Sequence, residues 1–299
     1  MKAVKTIDPQ SLSIPERHGY LLAAVAPRPI AFASTVDKAG NVNLSPFSFF
    51  NVFSSNPPVM IFSPARSGKD QTQKDTYLNI KEVPEAVISI VNYPMVEQVS
   101  LASTAYDKGV NEFLKAGFTE LASLKVKPPR VAESPVSFEC VVDQVIELGE
   151  EGAAGNLIIC RVVMIHIREE YLDERGKLDT TKLDLIGRMG DNWYCKASGE
   201  ALFEIPKPLG TKGIGVDQLP RQVRNSPILT ANNLGRLGNV KALPDTLTLT
   251  QVMEEAEVKA IISQYSGQSS RREEALHRLA QKYLEAGKTE KALAILMAK

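Results

Sequence analysis

PIAFASTVDKAGNVNLSPFSFFN, residues 29–51, is the stretch that decides the fold. Two apolar runs, 29–36 and 42–50, flank the short loop Asp37-Lys38-Ala39-Gly40-Asn41. Its Gly and Asn tolerate positive φ, so the segment predicts a β-hairpin. Working outward, Asn56-Pro57-Pro58 breaks the chain before a short strand at 59–63, and Pro84 and Pro94 bound another at 86–92. In VSFECVVD, Val136, Phe138, Cys140 and Val142 alternate with Ser137, Glu139 and Asp143, which buries one face. LIICRVVMIHI (157–167) is apolar on nearly both faces, as expected inside a barrel, and the Gly-, Ala- and Glu-rich stretch 149–156 joins the two as a hairpin loop. Helical patterns are short: 75–82, 95–103, and 112–116 with Gly117 as its stop. Mostly antiparallel strands with a few short helices predict a mainly β fold, a barrel and not a parallel α/β sheet.

The pattern changes near Pro206. Residues 206–245 are rich in Gly, Pro and Asn with little periodicity, which predicts an extension between a barrel domain (1–205) and a C-terminal helical segment (246–299). QVMEEAEVKAIISQY reads as one helix. Leu276, Leu279, Ala280, Tyr283 and Leu284 at helical spacing, a break at Gly287, and Ala292, Leu293, Ile295 and Leu296 then form a helical hairpin that resembles one tetratricopeptide unit. Such repeats need neighbours to make a binding surface, so a pair packed on the barrel domain is the plainer expectation and a docking site for a partner protein the alternative.

Charge excludes some functions. Lys plus Arg (35) equals Asp plus Glu (35), so no overall field draws the chain to nucleic acid or to an anionic membrane. No apolar run approaches the length of a membrane helix, and MKAVKTIDPQ lacks a secretory h-region; a cytoplasmic location is expected. Cys140, Cys160 and Cys195 are odd in number and widely spaced, which fits reduced thiols better than disulfides or zinc. His18, His166 and His277 are far apart. GTKGIG (210–215) follows no strand and has Gln218 where a dinucleotide fingerprint needs its next glycine. Gly287-Lys288-Thr289 lacks the first P-loop glycine, and no G-x-S-x-G or H-E-x-x-H occurs. Without a local nucleophile or metal signature, redox or group chemistry is expected to come from an organic cofactor.

Several blocks stand in a characteristic order: Pro27-Arg28-Pro29-Ile30-Ala31; Asn43-Leu44-Ser45-Pro46-Phe47-Ser48-Phe49-Phe50-Asn51; Asn56-Pro57-Pro58-Val59-Met60; and Lys74-Asp75-Thr76 with Asn79-Ile80. Glu112-Phe113 with Ala116-Gly117, and Gly187-Arg188-Met189-Gly190-Asp191 with Tyr194, follow. Over roughly residues 15–200 the chain resembles the flavin reductase-like family with the FMN-binding split barrel. The resemblance implies a six-stranded Greek-key barrel, a homodimer, and FMN held non-covalently near the subunit interface.

Within that resemblance the residues sort by what FMN needs. A phosphate asks for hydroxyls, backbone amides and one or two cations. Ser63, Arg66, Lys69, Lys74 and Thr76 are the candidates, with a helix starting near Asp75. Asp75 itself would repel a phosphate and is expected to cap the helix or to pair with Lys74 or Arg66. Asn43, Leu44, Ser45 and Ser48 are placed along the ring edge and ribityl chain, and Pro46 interrupts the ladder there. Thr35, beside Ser34 and Ala33, is expected to hydrogen-bond the ring. Arg28, between two prolines, is aimed at the cofactor or the partner subunit. The resemblance also brings a residue of the last long strand, here His166, toward the flavin, and Arg188 and Tyr194 to the closing of the site or the dimer contact.

The function implied is hydride transfer from NADH or NADPH to FMN, with no side chain acting as nucleophile. A flavin electron carrier and a non-catalytic FMN-binding interaction module are the alternatives.

Overall fold

The 37–41 loop closes on its own side chains. Asp37 accepts the Asn41 N–H (2.9 Å) and the Asn41 side-chain amide (2.8 Å), bonds that hold its carboxyl below the usual range, and Gly40 takes φ +87°. The expected hairpin therefore forms, β1 (Ala31–Val36) against β2 (Val42–Phe47), in a register that runs from Val36↔Val42 to Ala31↔Phe47. A computed structural model supplies these coordinates and describes residues 3–205, 210 and 212–298.

The remaining strands are β3 (Phe50–Ser55), β4 (Pro58–Phe62), β5 (Glu85–Ile90), a two-residue ribbon β6 (Glu120–Leu121) with β7 (Arg130–Val131), the long pair β8 (Val136–Glu147) and β9 (Asn156–Ile167), and a final hairpin β10 (Leu185–Arg188) with β11 (Tyr194–Ala197). One antiparallel seven-stranded sheet runs β2-β1-β5-β8-β9-β4-β3. Its edge strands β2 and β3 are consecutive in the chain, joined only by Ser48 and Phe49. Laid flat, the sheet would be roughly 29 Å wide, six spacings of about 4.8 Å. The three Cα steps from Phe47 to Phe50 reach at most about 11 Å. Such a link forces the sheet to roll into a barrel, split between β2 and β3.

Rolling gives β1 an interior and an exterior face, and both are covered, so all six of its residues are buried. Ala31, Ala33, Phe47, Phe62, Ile88, Cys140, Ile158 and Cys160 fill the inside. Ile30, Phe32, Leu44 and Val91 pack outside against α3 (Val96–Leu101) and α4 (Glu112–Ala116), which Gly117 ends in the left-handed conformation (φ +74°).

Two helices complete this part. α1 (Ile14–Ala24) begins with a Ser13–Glu16 capping box, yet none of its residues is buried, and the sequence pattern did not mark it. α2 (Asp75–Glu82) occupies the predicted span and packs on β1 and β2. β9 departs from expectation. It is not apolar-buried on both faces throughout, because β4 pairs only with Ile158 to Arg161 and the strand runs on past it, leaving Ile165 54% and Ile167 37% exposed.

The chain divides into two compact units, Met1–Phe203 and Glu204–Lys299. The second contains α5 (Arg221–Arg224), α6 (Ala231–Gly238), α7 (Thr246–Glu254), α8 (Ala256–Gln264), α9 (Ser269–Glu285) and α10 (Thr289–Met297). Residues 206–245 differ from the separate extension expected of them. Leu219, Val223, Leu229, Leu237 and Val240 belong to the same core as Val252, Val258, Leu276, Leu284 and Leu293. Residues 206–209 and 211 lie outside the described residues. The single helix expected at 251–265 is two, broken where Glu255 turns extended (ψ 139°). α9 and α10 form the expected hairpin about Gly287, but Leu276, Ala280 and Leu284, expected to pack on the barrel domain, are buried in this unit's own core.

Candidate functional site

β2 and the start of α2 are tied by buried polar contacts. Asn43 donates to Thr76 Oγ1 (2.8 Å), and Asn79, one turn on, donates to Thr35 Oγ1 (3.2 Å). All four side chains are buried. Each bond fixes a hydroxyl by its lone pair, and the hydroxyl protons of Thr76 and Thr35 remain available to donate. Leu44 is fully buried, and its amide, on the side of β2 turned from β1, donates to Glu112 Oε2 (2.9 Å). Burial pushes the Glu112 carboxyl up, opposed by the Leu44 N–H and reinforced by nearby Asp75. Glu112 and Asn79 are structural members of this region that the sequence presented only within family blocks.

α2 has Lys74 at its N-cap with no side chain capping it, so the expectation that Asp75 caps the helix is not met. Asp75 makes no ion pair with Lys74 or Arg66 among the described residues; it sits in the first turn, where the helix dipole favours a carboxylate. Arg66 acts by charge on Tyr77 in the first turn of α2, and Ser63 is buried just after β4. Asn156, fully buried, donates to Pro64 O (2.9 Å) and lies 2.8 Å from the side-chain amide of Gln73, whose oxygen accepts from the Arg66 guanidinium (2.9 Å); these contacts pin the loop that carries Arg66 and the exposed Lys69. A Cβ on Gly155 would come within 2.8 Å of Ser63 Oγ, so that approach requires glycine. Uncapped amides, two hydroxyls and two or three cations are the donor set a phosphate monoester needs, and these residues fit the phosphate of FMN. The cleft between Asn43, Asp75, Asn79 and Lys108 has a volume of only about 10 Å³. That is room for about one water, not a flavin.

A second group forms at the other end of β2. Arg28 is buried and its guanidinium donates to Leu22 O (2.5 Å), Val25 O (2.6 Å) and Met189 O (2.8 Å), with Nε 3.5 Å from Ser48 Oγ. Its donors thus clamp the C-terminal carbonyls of α1 to the β10–β11 turn. Burial, then Arg188, lowers its pKa. Backbone bonds of 2.9 Å run both ways between Arg28 and Arg188. The Arg188 guanidinium stacks over Tyr194 (4.6 Å) and donates to Asp191 O (2.7 Å). Ser45, Pro46 and Ser48 lie between the two groups, partly exposed on β2 and its link.

His166 belongs to neither group. It stands on β9, four strands from β2 in the sheet order, hydrogen-bonded to Glu139.

A sequence profile described as "Flavin reductase like domain" matches residues 23–182. The chain belongs to the flavin reductase-like domain family. A solved nitrilotriacetate monooxygenase component B from Bacillus cereus is 30% identical, covers 69% of this chain and 100% of its own, and superposes with a TM-score of 0.64. A split-barrel domain protein from Shewanella frigidimarina is 24% identical over 67% of this chain and 96% of its own, with a TM-score of 0.56, and shows the same fold. An uncharacterized protein of Halalkalibacterium halodurans is 39% identical over 204 residues, 68% of this chain and 96% of that protein. Flavin reductase-like membership makes this a flavin-binding split barrel of oxidoreductase type. No helix among the described residues is long and apolar enough to cross a membrane.

Proposed function

We propose that the chain is a homodimeric flavin reductase that binds FMN and takes hydride from NADH or NADPH. The observation that carries the reading is the uncapped N-terminus of α2 in a flavin reductase-like barrel, with Lys74 at the cap and Thr76 in the first turn, and with the loop that carries Arg66 pinned through Asn156 and Gln73. In this reading Lys74, Arg66 and the first amides of α2 hold the phosphate, with Lys69 adding charge from the loop. Thr76 donates its hydroxyl to the phosphate while Asn43 fixes its lone pair. Ser45, Ser48 and the edge of β2 beyond Pro46 line the ribityl chain and ring, and Thr35 supports them from β1. Arg28 acts by holding Ser48 and the β10–β11 turn in place, and Arg188 with Tyr194 borders the ring.

The chemistry FMN supplies when bound is acceptance of hydride from a reduced nicotinamide. This chain's residues bind, orient and shield; none is needed as a nucleophile.

A second copy would complete the site in this reading. Exposed apolar surface on the same unit supports it: Tyr20, Leu21 and Val25 on α1, Phe53 on edge strand β3, and Trp193. The α9 stripe that would have marked a partner dock is buried in its own unit, which leaves the interaction-module reading without support.

The test is an absorbance spectrum of the purified protein, then anaerobic addition of NADH or NADPH with and without FMN. Flavin bands that bleach on addition are the expected result. Flavin retained through desalting and turnover would favour an electron carrier, bound flavin that neither nucleotide reduces a binding module, and no flavin uptake would overturn the site.

A further inference from the structure

A cavity of about 330 Å³ opens on the barrel away from the α2 site, between the β6–β7 ribbon and the protruding end of β9. Its size is in the range of small-molecule sites. Leu121, Val131, Ile165 and Ile167 give it apolar walls, and Arg130, Arg168 and His166 give it polar ones.

The charged side chains of the lining, Arg130 and Arg168, are both cations. No carboxylate lines the cavity. Two carboxylates bond lining residues from outside: Glu170 pairs with Arg168 (2.9 Å), and Glu139, fully buried, accepts N–H bonds from Leu124 (2.8 Å) and Lys125 (2.6 Å) and the Nε2–H of His166 (2.6 Å). Burial alone would raise its carboxyl, but these three bonds outweigh it and keep it ionised. The same bond fixes the His166 ring, and Nδ1 has no hydrogen-bond partner among the described residues. Arg130 uses Nε and Nη2 on Ala122 O (3.3 and 3.1 Å), so Nη1 is uncommitted; Arg168 is held by Glu133 O and Glu170. Anchored guanidiniums with donors to spare lose little entropy in binding an anion. A bare inorganic anion would leave the four aliphatic side chains wet, so the occupant must carry apolar surface as well.

We propose that this cavity binds a small organic carboxylate with a ring-sized apolar body. The carboxylate meets Arg130 Nη1 and Arg168, and the ring covers Ile165 and Ile167. The site is separate from the proposed FMN site, and His166 serves here and not at the flavin.

The test uses the full chain with sodium benzoate as probe and benzamide as its uncharged counterpart. The readout is the imidazole NMR signal of His166, one of three histidines, assigned with a His166→Gln variant. Benzoate is expected to shift that signal saturably and to bind at least about tenfold tighter than benzamide, one charge-assisted contact. Ile165 is half exposed, so Ile165→Glu and Ile165→Gln should both fold; the glutamate is expected to abolish benzoate binding and the glutamine to keep it. No shift, equal binding of benzoate and benzamide, equal binding of inorganic phosphate, or unimpaired binding by Ile165→Glu would each overturn the proposal. FMN uptake, followed by flavin absorbance on the same samples, is expected to be unchanged by either variant. Its failure would count against the FMN reading alone, and its loss on the Ile165 substitutions would overturn the separateness of the two sites.

Discussion

His277 shows how one buried side chain sets a pH limit. It is 2% exposed, and its Nδ1 lies 2.7 Å from Ser226 Oγ. Ser226 already accepts the Ile228 and Leu229 N–H groups, so its own proton goes to Nδ1 and the ring is neutral. Nε2 is buried without a hydrogen-bond partner among the described residues, with Glu273 3.9 Å away. Burial lowers the His277 pKa from its ordinary 6.5, and Glu273 only partly opposes this. The unfolded chain therefore binds the proton first as pH falls. Stability is full above about pH 6.5 and drops below it, by up to about 1.4 kcal/mol per pH unit until the folded-state pKa is passed. Thermal melts of the full chain followed by helix ellipticity should show a lower midpoint at about pH 5 than at about pH 7.5. His277→Asn should remove most of that difference; an unchanged difference would refute the assignment. Nothing in the sequence announced this, because Ser226 and His277 are 51 positions apart. Asn43 and Thr76, which the family blocks carry, are joined by a hydrogen bond, whereas the diversion of Arg28 to backbone carbonyls depends on where α1 ends.

The elements repeat that contrast. β1, β2, α2 and α4 were readable because local signals agree: a turn-forming loop, alternating burial and a left-handed glycine. α1 was not, because an amphipathic pattern needs a buried face and α1 has none. The end of β9 misled for a related reason, since composition cannot show where a neighbouring strand stops. The join between α2 and β2 is where an element-scale change can be tested. Thr76→Val removes the acceptor of Asn43 Nδ2 and leaves a buried donor unpaired, at a cost of about 1–3 kcal/mol. It also removes the hydroxyl assigned to the phosphate. Urea midpoints should fall accordingly and FMN affinity should fall with them, while Thr76→Ser keeps both near wild type. Weakened stability with unchanged FMN affinity would confine Thr76 to packing. Gly155→Ala, which would set a Cβ 2.8 Å from Ser63 Oγ, should weaken FMN binding in the same assay.

At the scale of the molecule, the balanced charge conceals two halves of opposite sign. Residues 1–203 carry 21 basic against 25 acidic side chains, and residues 204–299 carry 14 against 10. Each half has a buried core of its own: the barrel's two apolar layers, and the cluster that joins Leu219 and Val223 to α9 and α10. The family profile ends at residue 182, and the 204 residues aligned to the Halalkalibacterium halodurans protein are nearly all of that protein. A barrel of this kind thus exists elsewhere without 96 further residues. Separately produced Met1–Phe203 and Glu204–Lys299 should therefore each fold, the first as a β-rich and the second as a helical protein, and be retained near neutral pH on anion and cation exchangers respectively. Every residue assigned to FMN, and the exposed apolar surface of α1 and β3, lies in the first piece. It should take up FMN as well as the full chain does and elute at twice its own mass. A monomeric Met1–Phe203 that folds but takes up no FMN would mean that uptake needs residues 204–299. A folded monomer that binds FMN fully would overturn the idea that a second copy completes the site.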